Sequence, residues 1–166
     1  NGNGGGILIF DSGTLNIDSS TVSGNSSVNG GGVYNGTSGT INATTNTFDG
    51  NTAARSGGAV MNTATITFTN NTISSNIAES GGGIYNSFTA TLQNNIVALN
   101  TALPGSDLYS SNGGAGFTGG YNLIGDRDGS LGMESAPNMS GTTANKLDPV
   151  LGPLQNNGGT TFTRAL

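Results

Sequence analysis

A small-residue tripeptide that occurs four times constrains this chain more than any other feature. Gly4-Gly5-Gly6 recurs as Gly30-Gly31-Gly32, Gly57-Gly58-Ala59 and Gly81-Gly82-Gly83, at steps of 26, 27 and 24 residues. A β-branched residue follows each: Ile7, Val33, Val60 and Ile84. In the last three an apolar residue and Asn complete the phrase: Tyr34-Asn35, Met61-Asn62 and Tyr85-Asn86. A second landmark is an apolar residue, two spacers and Asn: Val22 to Asn25, Phe48 to Asn51, Ile73 to Asn76 and Val97 to Asn100. The Asn residues are 26, 25 and 24 apart.

Setting these four Asn residues in one column aligns the eleven positions before them without a gap. Thr14, Thr40, Thr65 and Thr89 stack. Leu15, Ile41, Ile66 and Ala90 follow, then Asn16, Asn42, Thr67 and Thr91, then Ile17, Ala43, Phe68 and Leu92. Polar and apolar columns alternate, as in strands with one buried face. No segment keeps a 3.6-residue period. A repeat this short excludes propeller blades of about 40–45 residues. The pattern predicts an all-β fold: a single parallel β-solenoid of about 24–27 residues per coil. Each coil holds two or three short strands that pair with the coils above and below. Residues 1–103 make about four regular coils. Residues 104–166 add one or two irregular coils, with a strand at 121–124, and a distinctive terminal block.

Composition then has a cause. Gly, Asn, Thr and Ser supply 93 of 166 residues. Gly suits corners of positive φ or close backbone approach. Thr suits exposed strand positions, and Asn at a recurring turn can hold left-handed geometry and bond the next coil. Thirteen charged residues and a net charge of -5 lie far below the usual charged fraction of about 25%. The chain has neither Cys nor His, which excludes disulfide scaffolds, Ser-His-Asp hydrolysis and Cys- or His-ligated metal. Arg55, Arg127, Arg164 and Lys146 are the only basic residues, too few for a nucleic-acid patch. No apolar run reaches the ~18 residues of a membrane span. The chain begins at Asn1 without a signal-like segment, as expected of a processed chain or an excised fragment. Few charges and no Cys fit an extracellular or cell-surface bacterial protein.

The alternating Gly-Gly-x-[Val/Ile] and apolar-x-x-Asn phrases resemble the repeats of right-handed parallel β-helix surface proteins, of which the chlamydial polymorphic outer membrane proteins are an example. Phe48-Asp49-Gly50-Asn51 carries their Phe-x-x-Asn form. At the C-terminal side, Gly120-Tyr121-Asn122-Leu123-Ile124-Gly125-Asp126 and Leu147-Asp148-Pro149-Val150-Leu151-Gly152-Pro153-Leu154-Gln155-Asn156-Asn157-Gly158-Gly159 are similar to the bacterial "choice-of-anchor Q" domain. The resemblance implies a right-handed β-helix at the cell surface, often adhesin-like.

Each candidate site has a plain structural reading. Asn25, Asn51, Asn76 and Asn100 are expected to form a buried ladder that satisfies backbone groups, with Asn46, Asn71 and Asn95, and Ser20 in the first coil, as a second turn column. The column Thr14, Thr40, Thr65, Thr89 invites an ice-binding reading, but Asp18 and Gln93 break the neighbouring array. Polysaccharide lyases of solenoid fold need clustered Asp around calcium and a basic residue; Asp11, Asp18 and Asp49 fall in different columns. Asp126-Arg127-Asp128-Gly129-Ser130 lacks the terminal Glu of a calcium loop and reads as a turn. Asn-x-[Ser/Thr] sequons at Asn25, Asn35, Asn42, Asn70 and Asn138 follow from composition. No catalytic residue, cofactor or metal is expected. The expected function is a non-enzymatic extracellular structural protein, an adhesin-type module or fibre subunit; the alternatives are a carbohydrate-binding or polysaccharide-degrading β-helix and an ice-binding solenoid. Its expected partner is a surface glycan, a host receptor or a second copy stacked end to end, and neither nucleic acid nor membrane. The end-to-end contact would join Ile7, Leu8, Ile9 and Phe10 to Phe162 and Leu166.

Overall fold

Three strands per coil pair in parallel with the same segments one coil away. The computed structural model describes residues 2–111 and 116–166. The first sheet stacks Ile7–Ile9, Val33–Asn35, Val60–Asn62, Ile84–Asn86 and Leu108–Ser110. The second stacks Thr14–Asp18, Thr40–Thr44, Thr65–Thr69, Thr89–Gln93 and Phe117–Gly120. The third stacks Thr21–Ser23, Thr47–Asp49, Thr72–Ser74, Ile96–Ala98, Leu123–Ile124 and Met139–Ser140. A short pair, Ser26–Asn29 with Thr52–Ser56, fills a fourth side in the first two coils.

The register is the one the columns predict. Leu15 pairs with Ile41, Ile41 with Ile66, and Ile66 with Ala90. A one-residue slip would turn every apolar side chain outward. Phe68 pairs with Ala43 on one side and Leu92 on the other, and its ring stacks on Phe48 at 5.5 Å. The small Ala43 beside Phe68 leaves room for that stack. Phe48, Phe68, Phe117, Ile41, Ile66, Ile73, Ile84 and Leu92 are fully buried. Each adds roughly 1.5–3 kcal/mol by leaving water. Leu15, Ile17 and Ile7 are only partly buried against this core, whereas Met133 closes the far end of it at 0% exposure.

The fifth coil joins all three sheets, through Leu108–Ser110, Phe117–Gly120 and Leu123–Ile124. From Asp126 on the chain leaves the coil pattern, except that Met139–Ser140 pairs with Leu123–Ile124 in the third sheet. The strand read at 121–124 is Leu123–Ile124 alone. Tyr121 is a turn residue with φ 58°, in the same place as Thr45, Asn70 and Asn94 with φ 59°, 58° and 59°. The left-handed conformation thus falls on the residue before Asn46, Asn71, Asn95 and Asn122, not on the Asn as the sequence reading had it. Gly24, Gly50, Ser75 and Leu99 do the same before Asn25, Asn51, Asn76 and Asn100.

The glycine phrase has two separate jobs. Gly57 turns the chain at φ 70°. Gly58 sits where coils touch: a Cβ there would lie 2.3 Å from the Gly82 carbonyl oxygen and 2.7 Å from that of Ile77. Both obstacles are backbone, so the coils themselves must part. Gly58→Ala is expected to cost about 1–3 kcal/mol, the range for overpacking. Gly2→Ala, with nothing within 4 Å, should stay within about 0.5 kcal/mol. Denaturant melts of the two variants check this.

Candidate functional site

The polar interior is built from asparagine ladders. In the first, the backbone N–H and Nδ2 of Asn25 donate to Oδ1 of Asn51 at 3.1 and 2.9 Å. Asn51 donates likewise to Asn76 at 2.9 and 3.0 Å, and Asn76 to Asn100 at 2.9 and 2.8 Å. The other Nδ2 hydrogen reaches back one coil. Asn51 donates to the Val22 carbonyl, Asn76 to that of Phe48, and Asn100 to that of Ile73. One carboxamide therefore holds three successive coils. The left-handed residue ahead of it turns its N–H toward the next coil.

The second ladder runs from the Ser20 N–H through Asn46, Asn71 and Asn95, as read from the sequence. It continues to Asn122 and Asn138, which that reading left out. A third ladder, Asn35 to Asn62 to Asn86, lies under the first sheet at 2.8 and 2.7 Å. The Asn that completes each glycine phrase was its signal. In the first coil Ile9 takes that column, and Oδ1 of Asn35 is buried without a hydrogen-bond partner among the described residues.

The ladders hold no reactive group. The exception is where the first one ends. The fifth coil has no Asn to receive Asn100, and Asp107 takes its place. Oδ1 of Asp107 accepts the Asn100 N–H at 3.0 Å and Nδ2 at 2.8 Å, and Oδ2 accepts the Asp126 N–H at 2.6 Å. Asp107 stands where earlier coils have Gly6, Gly32, Ala59 and Gly83, with no repeat signal to mark it. Burial pushes its carboxyl up to about 6, against the hydrogen bonds from Asn100 and Asp126. Asp126, fully buried, pairs with Lys146 at 3.2 Å.

The outer faces differ. Of the Thr column, Thr14 and Thr89 are exposed while Thr40 and Thr65 are half-buried. Along the first sheet the outward column is Leu8, Tyr34, Met61, Tyr85 and Tyr109. Tyr85 and Tyr109 sit ring to ring at 5.1 Å. Phe10 and Phe88, within two residues of strands of this sheet, are 83% and 57% exposed. Leu8, Phe10, Asp11 and Tyr34 line a shallow cavity of about 390 Å³ with Asn3 and Thr37.

The C-terminal segment does not sit at the opposite end from Ile7. Thr21, in the first coil, donates to the Phe162 carbonyl at 2.7 Å. Arg164 pairs with Asp49 of the second coil and donates to Ser75 of the third at 2.9 Å. The tail thus returns along the third sheet, where outward Asp49, Ser74 and Ala98 are buried. Phe162 and Leu166 remain exposed, as do Leu8 and Phe10, whereas Ile9 is buried and Ile7 half-buried. Phe162 thus lies beside the first coil, which also carries Ile7.

Stacked parallel sheets around one apolar core, closed by ladders, define a β-solenoid. A family model described as the right handed beta helix region matches residues 1–133. The chain belongs to this right-handed β-helix family. No curated protein matches it, and no solved structure does.

Asn76→Ala removes the acceptor of the Asn51 N–H and Nδ2 and the donor to Phe48. Each buried group left unpaired costs about 1–3 kcal/mol, so the variant should melt well below wild type. Thr65→Ala, on a half-exposed position, should shift stability by about 0.5 kcal/mol or less. Equal melting shifts in calorimetry would contradict this.

Proposed function

We propose that the chain is a non-enzymatic, extracellular surface module whose aromatic face docks a linear, neutral glycan. The observation that carries this is where the aromatics lie. Of ten in the chain, Phe10, Tyr34, Tyr85, Phe88 and Tyr109 belong to the first sheet or to the two residues after its strands. The five strands contain no charged residue. Tyr rings with an apolar body and a wet hydroxyl favour interfaces, and exposed apolar patches mark binding surfaces. Parallel coils repeat the face every ~4.8 Å, a regular track for a polymer of flat rings. A sugar ring offers such a face, with C–H groups for stacking and hydroxyls at its rim. The net charge of -5 disfavours an acidic polysaccharide. The likeness of the repeats to polymorphic outer membrane proteins, and of residues 147–159 to the choice-of-anchor Q block, supports surface display.

The other readings have less support. A fibre subunit needs free ladder donors at the C-terminal end, but Asp107 and Asn138 accept them within the chain. Ice binding needs a uniform hydroxyl plane, and the Thr column is unevenly exposed. The two neighbouring carboxylates, Asp107 and Asp126, are taken up by backbone N–H groups and Lys146. Among the described residues no helix is long and apolar enough to cross a membrane.

Affinity electrophoresis in gels containing neutral glucans or mannans tests the proposal. Wild type should be retarded, and a Tyr85→Ala, Tyr109→Ala variant should lose at least about tenfold in affinity, since each 1.4 kcal/mol is tenfold. Equal retardation of both proteins, or retardation only in an acidic polysaccharide, would overturn it.

A further inference from the structure

Two buried carboxylates, Asp107 and Asp126, meet at the joint between the ladder and the C-terminal block, and the one ammonium there reaches Asp126. Asp126 takes that ammonium from Lys146, together with the Thr143 hydroxyl at 3.0 Å. Asp107 is 1% exposed, and neither ion pair among the described residues involves it. It holds three N–H donors from two segments: Asn100 at the end of the ladder, and Asp126 at the start of the block. Other charged groups do not relieve it. Asp148, itself an acid, lines a cavity of about 360 Å³ with Asp107 and Lys146, whose ammonium is bonded to Asp126 and Ser106. Asp128 accepts the Thr143 N–H, and the charge of Arg127 acts on Glu134. An ionised Asp107 is therefore a buried charge held by hydrogen bonds alone, which is costly.

We propose that Asp107 makes this joint tighten in acid, by taking up a proton on its buried carboxyl. The neutral acid still accepts N–H groups through its remaining lone pairs, while the desolvated charge and its repulsion from Asp126 disappear. The direction follows from linkage. Burial raises the folded-state value from 3.8 to about 6, so the folded state binds more protons than the unfolded one in that window. Stability from this group is greatest below about 4 and falls as pH rises toward 6 and above. A protein displayed outside the cell meets such changes directly.

The test uses the whole chain. Carboxyl-carbon NMR of the native protein should show Asp107 titrating near 6, about two units above an unperturbed Asp. A midpoint near 4 for Asp107 would overturn the proposal. In parallel, the unfolding equilibria of wild type and Asp107→Asn are compared at pH 4 and pH 7.5. The wild-type folding constant should fall relative to that of the variant by roughly 100-fold, the equivalent of a two-unit shift. A wild-type-to-variant ratio that is the same at both pH values would equally overturn it. If Asp107→Asn does not fold, the native titration alone decides.

Discussion

Every coil of this solenoid is held to its neighbours by a buried asparagine carboxamide, and the rest of the structure is arranged around that bond. A β-helix coil encloses a thin core, and its turns bring backbone N–H and C=O groups inside. Buried polar groups of this kind must be paired. The Asn side chain has an acceptor and two donors, enough to take two N–H groups from one coil and to reach a carbonyl in the other. Oriented in one direction, the bonds make a chain in which each carboxamide polarises the next. Asn76, bonded to Asn51, Phe48 and Asn100, is the clearest example. The directed chain also explains the two residues that break the pattern. Asp107 can end a ladder because a carboxylate is all acceptor, and Oδ1 of Asn35 has no partner among the described residues because Ile9 cannot donate.

The four-coil register was legible because side-chain identity recurs at fixed spacing. Alternation placed Leu15, Ile41, Ile66 and Ala90 inside, and the Asn column marked the turn. What was not legible has a common cause: it depends on the backbone or on single events. Ser19, Thr45, Asn70, Asn94 and Tyr121 share a positive φ but no chemistry, so Tyr121 read as part of a strand. Asp107 lies seven residues from Asn100, in a column otherwise held by small residues, and nothing repeats it. The contact of Arg164 with Asp49 spans 115 residues and carries no periodic mark. The terminal block therefore read as an end, while in the structure it returns along the side.

This division separates stability from function. Interior polar groups are consumed by the ladders, and the apolar columns by the core. What the fold leaves for recognition is on its faces, repeated once per coil. The tail covers part of the third sheet, the second presents Thr and Asn, and the first presents a charge-free row of Tyr, Met and Leu. A parallel sheet stacked in register turns a sequence repeat into a linear surface, which suits a linear polymer better than a compact ligand. The buried Asp107 carboxyl lies at the junction of ladder and tail, one residue before the strand Leu108–Ser110 that carries Tyr109.

The most direct measurement of the central claim is native-state hydrogen exchange at the backbone amides of Asn51 and Asn76. If the ladders hold the coils together, these N–H groups, each donated to an Oδ1 one coil away, open only when the whole solenoid unfolds. Their exchange free energy should then equal that of global unfolding by denaturant and fall with it as denaturant is added. Exchange at a much lower free energy, independent of denaturant, would mean that the ladder bonds open locally, and that packing of the apolar columns alone holds the fold.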